Sequence, residues 1–212
     1  MVKMAVVWSA VLLGCGSSVA LAQQADGPWM VRARAVYLKM DNSSQPGGGA
    51  LAGVPADSIE VNSKWIPEVD ISYFFSQNVA LELILTVPQK QTVTMNVPGL
   101  GVVGTFKQLP PTLLLQYHCT GCLAAAKPYI GAGINYTRIS SQAFQVPGLA
   151  VARSSVGPAI QLGVNIPLGG GWSLNTDIKK VWIASDVKLN GQTVSRVDLN
   201  PWLFGVGVGQ RF

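Results

Sequence analysis

The chain ends in the stretch WLFGVGVGQRF, residues 202–212, in which large apolar residues alternate with small ones. The apolar residues of one parity are Trp202, Phe204, Val206, Val208 and Phe212, and the glycines of the other parity are Gly205, Gly207 and Gly209. Successive side chains of a strand point to opposite faces of a sheet. The stretch therefore predicts a β-strand with an apolar outer face and an inner face of glycine, which is the pattern of a strand in the wall of a membrane barrel.

The composition of the whole chain favours the same environment. Of its 212 residues, 49% are hydrophobic and only 12% are charged, whereas a water-soluble domain normally carries about twice that share of charge. Beyond residue 22 no apolar run reaches the ~20 residues that a membrane-spanning helix needs. A closed barrel is then the remaining way to satisfy every backbone group within a bilayer.

The predicted fold class is all-β, an eight-stranded antiparallel up-and-down transmembrane β-barrel. The alternative is a soluble antiparallel barrel of the lipocalin type, whose strands also alternate. A soluble barrel places polar residues on its outside, whereas here the charged residues fall on the parity opposite the apolar band.

The N-terminus has the order of a secretory signal. Lys3 precedes the apolar run of residues 5–13, and the small-x-small stretch ALA follows at residues 20–22. We therefore expect residues 1–22 to be a cleaved signal peptide and residues 23–212 to form one outer-membrane barrel domain.

Two further features of the sequence bear on how the chain is processed and what it binds. LLGC at residues 12–15 resembles a lipobox, and in that alternative Cys15 is lipidated. Without Lys3 the balance of 15 bases and 10 acids falls to 14 and 10. Because these cations are scattered rather than gathered with aromatic residues, they predict no nucleic-acid binding.

Eight runs of about ten residues fit membrane strands, each with one apolar face. They cover residues 29–39, 58–75, 79–88, 109–118, 128–137, 153–166, 172–185 and 196–212. Tight connections at 76–78, 119–127 and 167–171 alternate with long loops at 40–57, 89–108, 138–152 and around Asn190-Gly191. This alternation predicts an integral protein of the bacterial outer membrane, with its loops extracellular and both termini in the periplasm.

Short motifs along these runs have a characteristic order and spacing. They are YF at 73–74, ALEL at 80–83, LPPT at 109–112, QY at 116–117, PYIGAGINYT at 128–137, LNTD at 174–177 and NPW at 200–202. Together they resemble the OmpW family of outer-membrane proteins over nearly the whole mature chain. The resemblance implies a narrow, largely hydrophobic channel that passes small hydrophobic molecules through the outer-membrane lipid. A terminal Phe212 also resembles the signal by which the barrel-assembly machinery recognises a last strand.

Seven charged residues fall on the faces opposite the apolar bands of their strands. They are Arg32, Arg34, Glu68, Asp70, Glu82, Asp177 and Lys179, all toward the periplasmic ends. Because an unpaired buried charge is costly, we expect them to form ion pairs inside the lumen. Two interpretations stay open: a packed plug that fills a barrel just wide enough for side chains, or a gated path for protons or ions.

A blocked lumen would force a solute that enters from outside to leave through the wall. Prolines cannot donate a hydrogen bond to a neighbouring strand and so weaken pairing. Pro67, Pro110, Pro111, Pro158 and Pro201 lie inside or at the ends of candidate strands, and the last four are the candidate seam residues. We hypothesise that one of them marks a lateral seam that releases solutes into the bilayer; in the alternative, the prolines only make bends or bulges.

The long loops carry apolar residues among glycines, which is the composition expected of an entrance for a greasy ligand. The main candidate entrance residues are Leu51, Val54, Leu100, Phe106, Phe144 and Leu149, and the same loops add Val97, Val102, Val103, Val146 and Val151. Alternatively, these side chains only pack the loops against one another.

Cys119 and Cys122 form an isolated C-x-x-C pair. Haem attachment needs a histidine directly after the pair, whereas His118 precedes it. Zinc needs about four ligands, and the sequence has no second cysteine pair and no histidine other than His118. A thioredoxin-type site needs a βαβ context, which is absent from this run of predicted strands. We therefore predict a local disulfide in the oxidising periplasm, with no metal and no cofactor.

Two other classes of function compete with a channel. We expect no enzyme activity, because His118 is the single histidine and no Ser or Asp is tied to it by its spacing. A structural or receptor barrel, whose loops bind other molecules and whose lumen is closed throughout, stays open. It differs from a channel in that its removal leaves solute flux unchanged.

Overall fold

Eight of the fifteen strands between residues 27 and 212, the part of the chain that the computed structural model describes, close into one barrel. The strands are β1 (Trp29–Lys39), β2 (Ser43–Ser44), β3 (Ile59–Val61), β4 (Lys64–Phe74), β5 (Val79–Thr86), β6 (Gln89–Met95), β7 (Gly101–Leu109), β8 (Thr112–His118), β9 (Lys127–Phe144), β10 (Leu149–Val151), β11 (Ser154–Gly169), β12 (Trp172–Val181), β13 (Ala184–Leu189), β14 (Gln192–Asp198) and β15 (Trp202–Arg211). A short 3₁₀ helix, Gly49–Leu51, lies between β2 and β3. Within residues 27–212 no helix is long and apolar enough to cross a membrane. The expected signal peptide, residues 1–22, and Cys15 lie outside the described residues.

The last strand closes the barrel. Around the wall the order is β1, β4, β5, β8, β9, β11, β12 and β15, and every neighbouring pair is antiparallel. In β15, Val206 is paired with Ala35 of β1 on one side and with Thr176 of β12 on the other. The predicted fold class, a closed eight-stranded antiparallel barrel, is confirmed.

The two faces of β15 differ as the alternation predicts. The exposed side chains on the outside are Trp202, Phe204, Val206 and Val208. On the inside, a Cβ added at Gly207 would overlap the backbone of Ala33 and Arg34 on β1. Glycine is needed at this position because the backbone of the neighbouring strand comes too close for any side chain.

Two segments that were predicted to be long loops contain strands, so these two predictions are wrong. Residues 89–108 form the hairpin of β6 and β7 instead of a loop. Much of 138–152 is strand as well, since β9 continues to Phe144. In β6 the buried, inward side chains begin with Gln89 and Gln91, so the apolar alternation that marks a membrane strand is hidden there.

Three of the predicted strands are broken in the structure. Residues 58–75 divide into β3 and β4, 172–185 into β12 and β13, and 196–212 into β14 and β15. Strands β10, β13, β14 and β2 form a second, four-stranded sheet at the extracellular end. Its β13–β14 hairpin turns at Asn190-Gly191, where both residues have positive φ (51° and 85°), as a two-residue hairpin turn requires. The extracellular end is therefore a structured extension of the barrel.

Replacing Gly207 by valine should prevent closure of the barrel, because the added side chain meets the backbone of β1 rather than a movable side-chain tip. We expect loss of the folded, heat-modifiable band in semi-native gel electrophoresis. The matched control is Val206→Leu, which enlarges a neighbouring outward side chain and should leave the folded band unchanged. Equal folding of the two variants would contradict close packing at this point of the lumen.

Candidate functional site

An apolar pocket occupies the extracellular end of the interior. It is enclosed mainly by β3, β6, β7, β9, β10, β13 and β14 and contains about 490 Å³ of unfilled space, which includes its opening to solvent. Its lining residues are Ile59, Val61, Val93, Met95, Val103, Phe106, Ile139, Phe144, Leu149, Val151, Ser185, Val187, Val197 and Leu199. All of them except Ser185 are apolar. Such a lining suits an apolar molecule and offers few hydrogen bonds to a polar one.

Some of the predicted entrance residues belong to this pocket and others do not. Those that line it are Val103, Phe106, Phe144, Leu149 and Val151. Leu51 packs, partly buried, against the same apolar cluster. Val54 lies outside the lining, and Leu100, in the turn before β7, has 46% of its surface exposed.

Sequence reasoning missed more than half of the lining. The missed residues are Ile59, Val61, Val93, Met95, Ile139, Ser185, Val187, Val197 and Leu199. A signal was present in β6, where Val93 and Met95 continue the inward row begun by Gln89 and Gln91. Reading that row as period-two alternation, with the polar residues included, would have identified the hairpin.

A second pocket lies below the first, toward the periplasm. Along β7, Phe106 lines the upper pocket and Gln108 the lower one; at the start of β13, Ser185 lines the upper pocket and Ile183 the lower one. The lower pocket contains about 460 Å³ of unfilled space, again including its opening to solvent. Its lining is mixed: Leu38, Ile66, Glu68, Ile84, Thr86, Gln108, Pro110, Thr112, Asn135, Lys179, Val181, Ile183, Pro201 and Leu203. The polarity of the interior therefore rises from the outside inward.

The floor of the lower pocket is the top of a charged network. Arg34 lies at its centre and contacts carboxylate oxygens of Glu68 (2.7 Å), Asp70 (2.5 Å) and Asp177 (2.6 Å). Lys179 contacts Glu68 and, at 3.4 Å, Asp177. All five residues are at most 4% exposed. Strands β1, β4 and β12 thus bring together five of the seven charges expected to share the lumen.

The other two charges, Arg32 and Glu82, form an ion pair nearer the periplasm. Both side chains are completely buried. Gln116 donates to Glu82 (2.6 Å) and to Gln161 (2.7 Å), and Gln161 donates to Asp177 (2.7 Å). These neutral amides link the pair to the larger network, so hydrogen-bonded side chains from β1, β5, β8, β11 and β12 meet at this level of the interior.

Aromatic rings cover the periplasmic end below the network. His118 stacks on Tyr129, with ring centroids 4.8 Å apart, and packs against Phe74 at 4.9 Å. The Arg211 guanidinium lies 3.8 Å from the centre of the Phe74 ring. His118 also forms a hydrogen bond of 2.9 Å with Gln116. Sequence reasoning missed this cluster because its rings and its guanidinium come from four separate strands and share no motif.

The wall beside the lower pocket is interrupted. β5 pairs with β8 only as far as Ile84 and Thr112, and β6 begins its own pairing with β7 at Gln89. Between them, Val87 and Pro88 have no ladder partner on either side among the described strands. This part of the wall therefore lacks the backbone pairing that holds the rest together.

Prolines border the interruption on both sides. Pro110 and Pro111 separate β7 from β8 and have no N–H to donate. On the other side the β4–β5 ladder ends where Glu68 pairs with Thr86, next to Pro67. Thr86 and Pro110 also line the lower pocket, so the unpaired part of the wall lies directly beside that pocket.

The two other proline candidates for a seam lie elsewhere. Pro158 is paired with Ile134 inside the β9–β11 ladder. Pro201 lies between β14 and β15, where its carbonyl accepts the N–H of Val181 at 3.2 Å. The geometry therefore places Pro110 and Pro111, rather than Pro158 or Pro201, beside the interruption.

Cys119 and Cys122 are joined by a disulfide in the β8–β9 connection at the periplasmic end. Their Cα atoms are 5.5 Å apart, within the ordinary range for a disulfide. The bond fastens a short turn far from the apolar pocket, so it belongs to the periplasmic surface.

Known proteins resemble this chain over most of its length. Residues 25–212 match the OmpW family. The uncharacterised outer-membrane protein y4mB of Sinorhizobium fredii is 36% identical over 87% of this chain and 80% of its own. PahQ of Pseudomonas aeruginosa, named as a dibenzothiophene metabolism operon protein, is 28% identical over 88% of this chain and 90% of its own. The crystal structure of the outer membrane protein OprG from Pseudomonas aeruginosa is similar with a TM-score of 0.76 and 25% identity, covering 88% of this chain and 97% of that one.

The Arg32–Glu82 pair permits a test of how buried charges stabilise the barrel. Arg32→Met leaves the Glu82 carboxylate buried without its cation, which should lower the free energy of unfolding by about 3–5 kcal/mol. The double variant Arg32→Met/Glu82→Met removes both charges and should recover most of this loss. Urea unfolding in lipid vesicles, followed by tryptophan fluorescence, measures the difference. A double variant as unstable as the single one would contradict direct pairing.

Proposed function

Because the chain belongs to the OmpW family of outer-membrane β-barrels, we propose that it is a passive channel for small hydrophobic molecules. Its location in the bacterial outer membrane, predicted from the alternation of loops, is confirmed by this membership. The observation that carries the proposal is the apolar pocket at the extracellular end, whose lining is apolar except at Ser185. Ligand pockets are lined predominantly by hydrophobic side chains, so the chemistry of this lining suits a small hydrophobic molecule.

Passage by this route needs no energy source. A hydrophobic solute loses contact with water when it enters the upper pocket, which contributes roughly 25 cal/mol for each Å² of apolar surface buried. The lower pocket offers a second site, since Leu38, Ile66 and Ile84 keep part of its lining apolar. From there the solute reaches the hydrocarbon of the membrane, so net movement follows its concentration gradient.

The name of one relative supports the hydrophobic class of solute. PahQ is named for an operon of dibenzothiophene metabolism, and dibenzothiophene is a flat aromatic molecule without a hydrogen-bond donor. We extend that association to the present chain: its solutes are apolar or weakly polar, in keeping with a pocket whose lining is apolar except at Ser185.

Solutes leave sideways in this scheme, through the wall beside Pro110 and Pro111. Straight passage would require Arg34 to give up three buried carboxylate contacts, and separating a buried ion pair leaves uncompensated charge. At Val87 and Pro88 the wall has no ladder pairing to lose. The charged network then acts as a plug rather than as a path for protons or ions.

The filled lumen also favours a second candidate function, a structural or receptor barrel that transports nothing. In that case the apolar pocket is only the core of the extracellular extension, and the prolines only bend the wall. The two functions differ in one observable, because removal of a structural barrel leaves the flux of hydrophobic solutes unchanged.

Uptake of a labelled short-chain alkane or fatty-acid ester by cells with and without the protein tests the channel. We expect faster uptake of the hydrophobic solute and no change for a small hydrophilic solute. Val93→Trp fills part of the apolar pocket and should slow uptake severalfold. The matched control is Val102→Trp, at a side chain that is 49% exposed, which should have no effect. Uptake that is the same without the protein would leave the structural barrel as the function.

Restoring backbone donors at the interruption tests the exit. The carbonyl of Pro111 accepts the N–H of Tyr136 on β9. The backbone N–H and C=O groups of successive residues in a strand point to opposite neighbours, so an N–H at residue 110 would face β5. Pro110→Thr/Pro111→Thr should therefore extend the β5–β8 pairing and slow uptake of the hydrophobic solute. Pro158→Thr is the control, because residue 158 is already within a ladder. Normal uptake by the double variant would rule out this exit while leaving the channel itself intact.

A further inference from the structure

Three cations lie side by side on the outer surface of the wall, and we call them the cation patch: Lys90 of β6, Lys107 of β7 and Arg138 of β9. All three residues are exposed. Lys90 and Lys107 are directly opposite in the β6–β7 ladder. Lys107 is paired with Ser140 of β9, which places Arg138 diagonally beside it. Lys64 adds another ammonium nearby, since its Nζ donates to the carbonyl oxygen of Lys90 at 2.7 Å.

No acidic side chain of the described wall neutralises the cation patch. Strands β6, β7 and β9 contain no Asp or Glu, and the patch residues form no ion pair within residues 27–212. On the adjoining strand β3, Glu60 lies opposite Thr94, four residues along β6 from Lys90. Like charges that face each other across a ladder destabilise a sheet. The arrangement therefore favours an anion supplied from outside the chain.

The cation patch begins where the lipid-facing surface ends. On the outer face of β9, Ile130, Ile134 and Tyr136 are 59%, 60% and 48% exposed, and Arg138 follows them in the same row. Aromatic residues mark the boundary between the apolar band of a membrane barrel and water. The patch lies one step beyond that boundary on the extracellular side, which is the level of lipid head groups.

We propose that the cation patch binds the phosphate groups of an outer-leaflet lipid, of the class of phosphorylated diglucosamine lipids known as lipid A. The guanidinium of Arg138 suits bidentate pairing with phosphate, and the two lysines add point charges. Clusters of basic residues at the edge of a membrane span are the usual means of holding an anionic lipid. The acyl chains of the same lipid lie along the apolar row of β9 below the patch.

The lipid site lies directly above the interruption in the wall. Lys107 precedes Pro110 by three residues, and Leu109 is paired with Arg138. A lipid held there covers the outer side of the unpaired segment with its acyl chains. The site itself does not depend on the proposed channel, because its residues, charge and position stand whether or not solutes leave there.

Lipid binding to the whole folded chain in detergent micelles tests the proposal through the unfolding temperature, which rises when a ligand binds only the folded state. Bisphosphorylated lipid A should raise this temperature by several degrees, and lipid A without its phosphates should not. The variant Lys90→Gln/Lys107→Gln/Arg138→Gln should lose the rise. Its own fold should survive, because the three side chains are exposed. The single variant Lys107→Glu, which reverses one charge, should reduce the rise independently.

The matched control is Lys39→Gln/Lys188→Gln/Arg196→Gln, which removes the same charge elsewhere at the extracellular end and should keep the full rise. A rise of equal size in the patch variant, or with the dephosphorylated lipid, would overturn the site. An equal rise with inorganic phosphate alone would overturn it as well, because the anion would then bind without any lipid.

Discussion

The ion pairing of the buried charges is the interaction on which the rest of this structure depends. The interior of an eight-stranded barrel is just wide enough for side chains, so charges that point into it must pair with one another. Arg34 of β1 contacts three carboxylates from β4 and β12, and Gly207 of β15 leaves the space that this arginine occupies. Removing one partner would leave a buried charge uncompensated. The charged network therefore depends on the glycine face of β15, because the glycines leave room in the narrow interior for the charged side chains.

The charged network also divides the interior into parts with different chemistry. Above it the lining changes from apolar in the upper pocket to mixed in the lower one, and below it the rings of Phe74, His118 and Tyr129 cover the periplasmic end. A hydrophobic solute is favoured in the upper part and disfavoured at the charges. The unpaired wall at Val87 and Pro88 lies at the level where the apolar lining gives way to charge, which is why we propose a sideways exit.

The lipid-facing part of the fold was predictable because one face of each strand is apolar. The run at 29–39 coincides with β1 as observed, and parity alone placed Arg34 in the lumen. The β6–β7 hairpin was missed because the inward row of β6 begins with polar Gln89 and Gln91, and its outward row is polar too, with Lys90, Thr92 and Thr94. Val93 and Met95 of the upper pocket went unseen for the same reason. Prolines were recognisable from sequence, but only the strand register shows that Pro110 borders an interruption whereas Pro158 does not.

If the charged network is a closed plug, a solute occupies the interior above Arg34 and leaves beside Pro110. The most direct test is anomalous X-ray scattering from crystals of the protein soaked with a brominated alkane. We expect bromine peaks in the apolar pocket and next to Thr86 and Pro110, with none on the periplasmic side of the network. A bromine peak beside His118 would contradict the closed plug, because the solute would then have passed straight through the lumen.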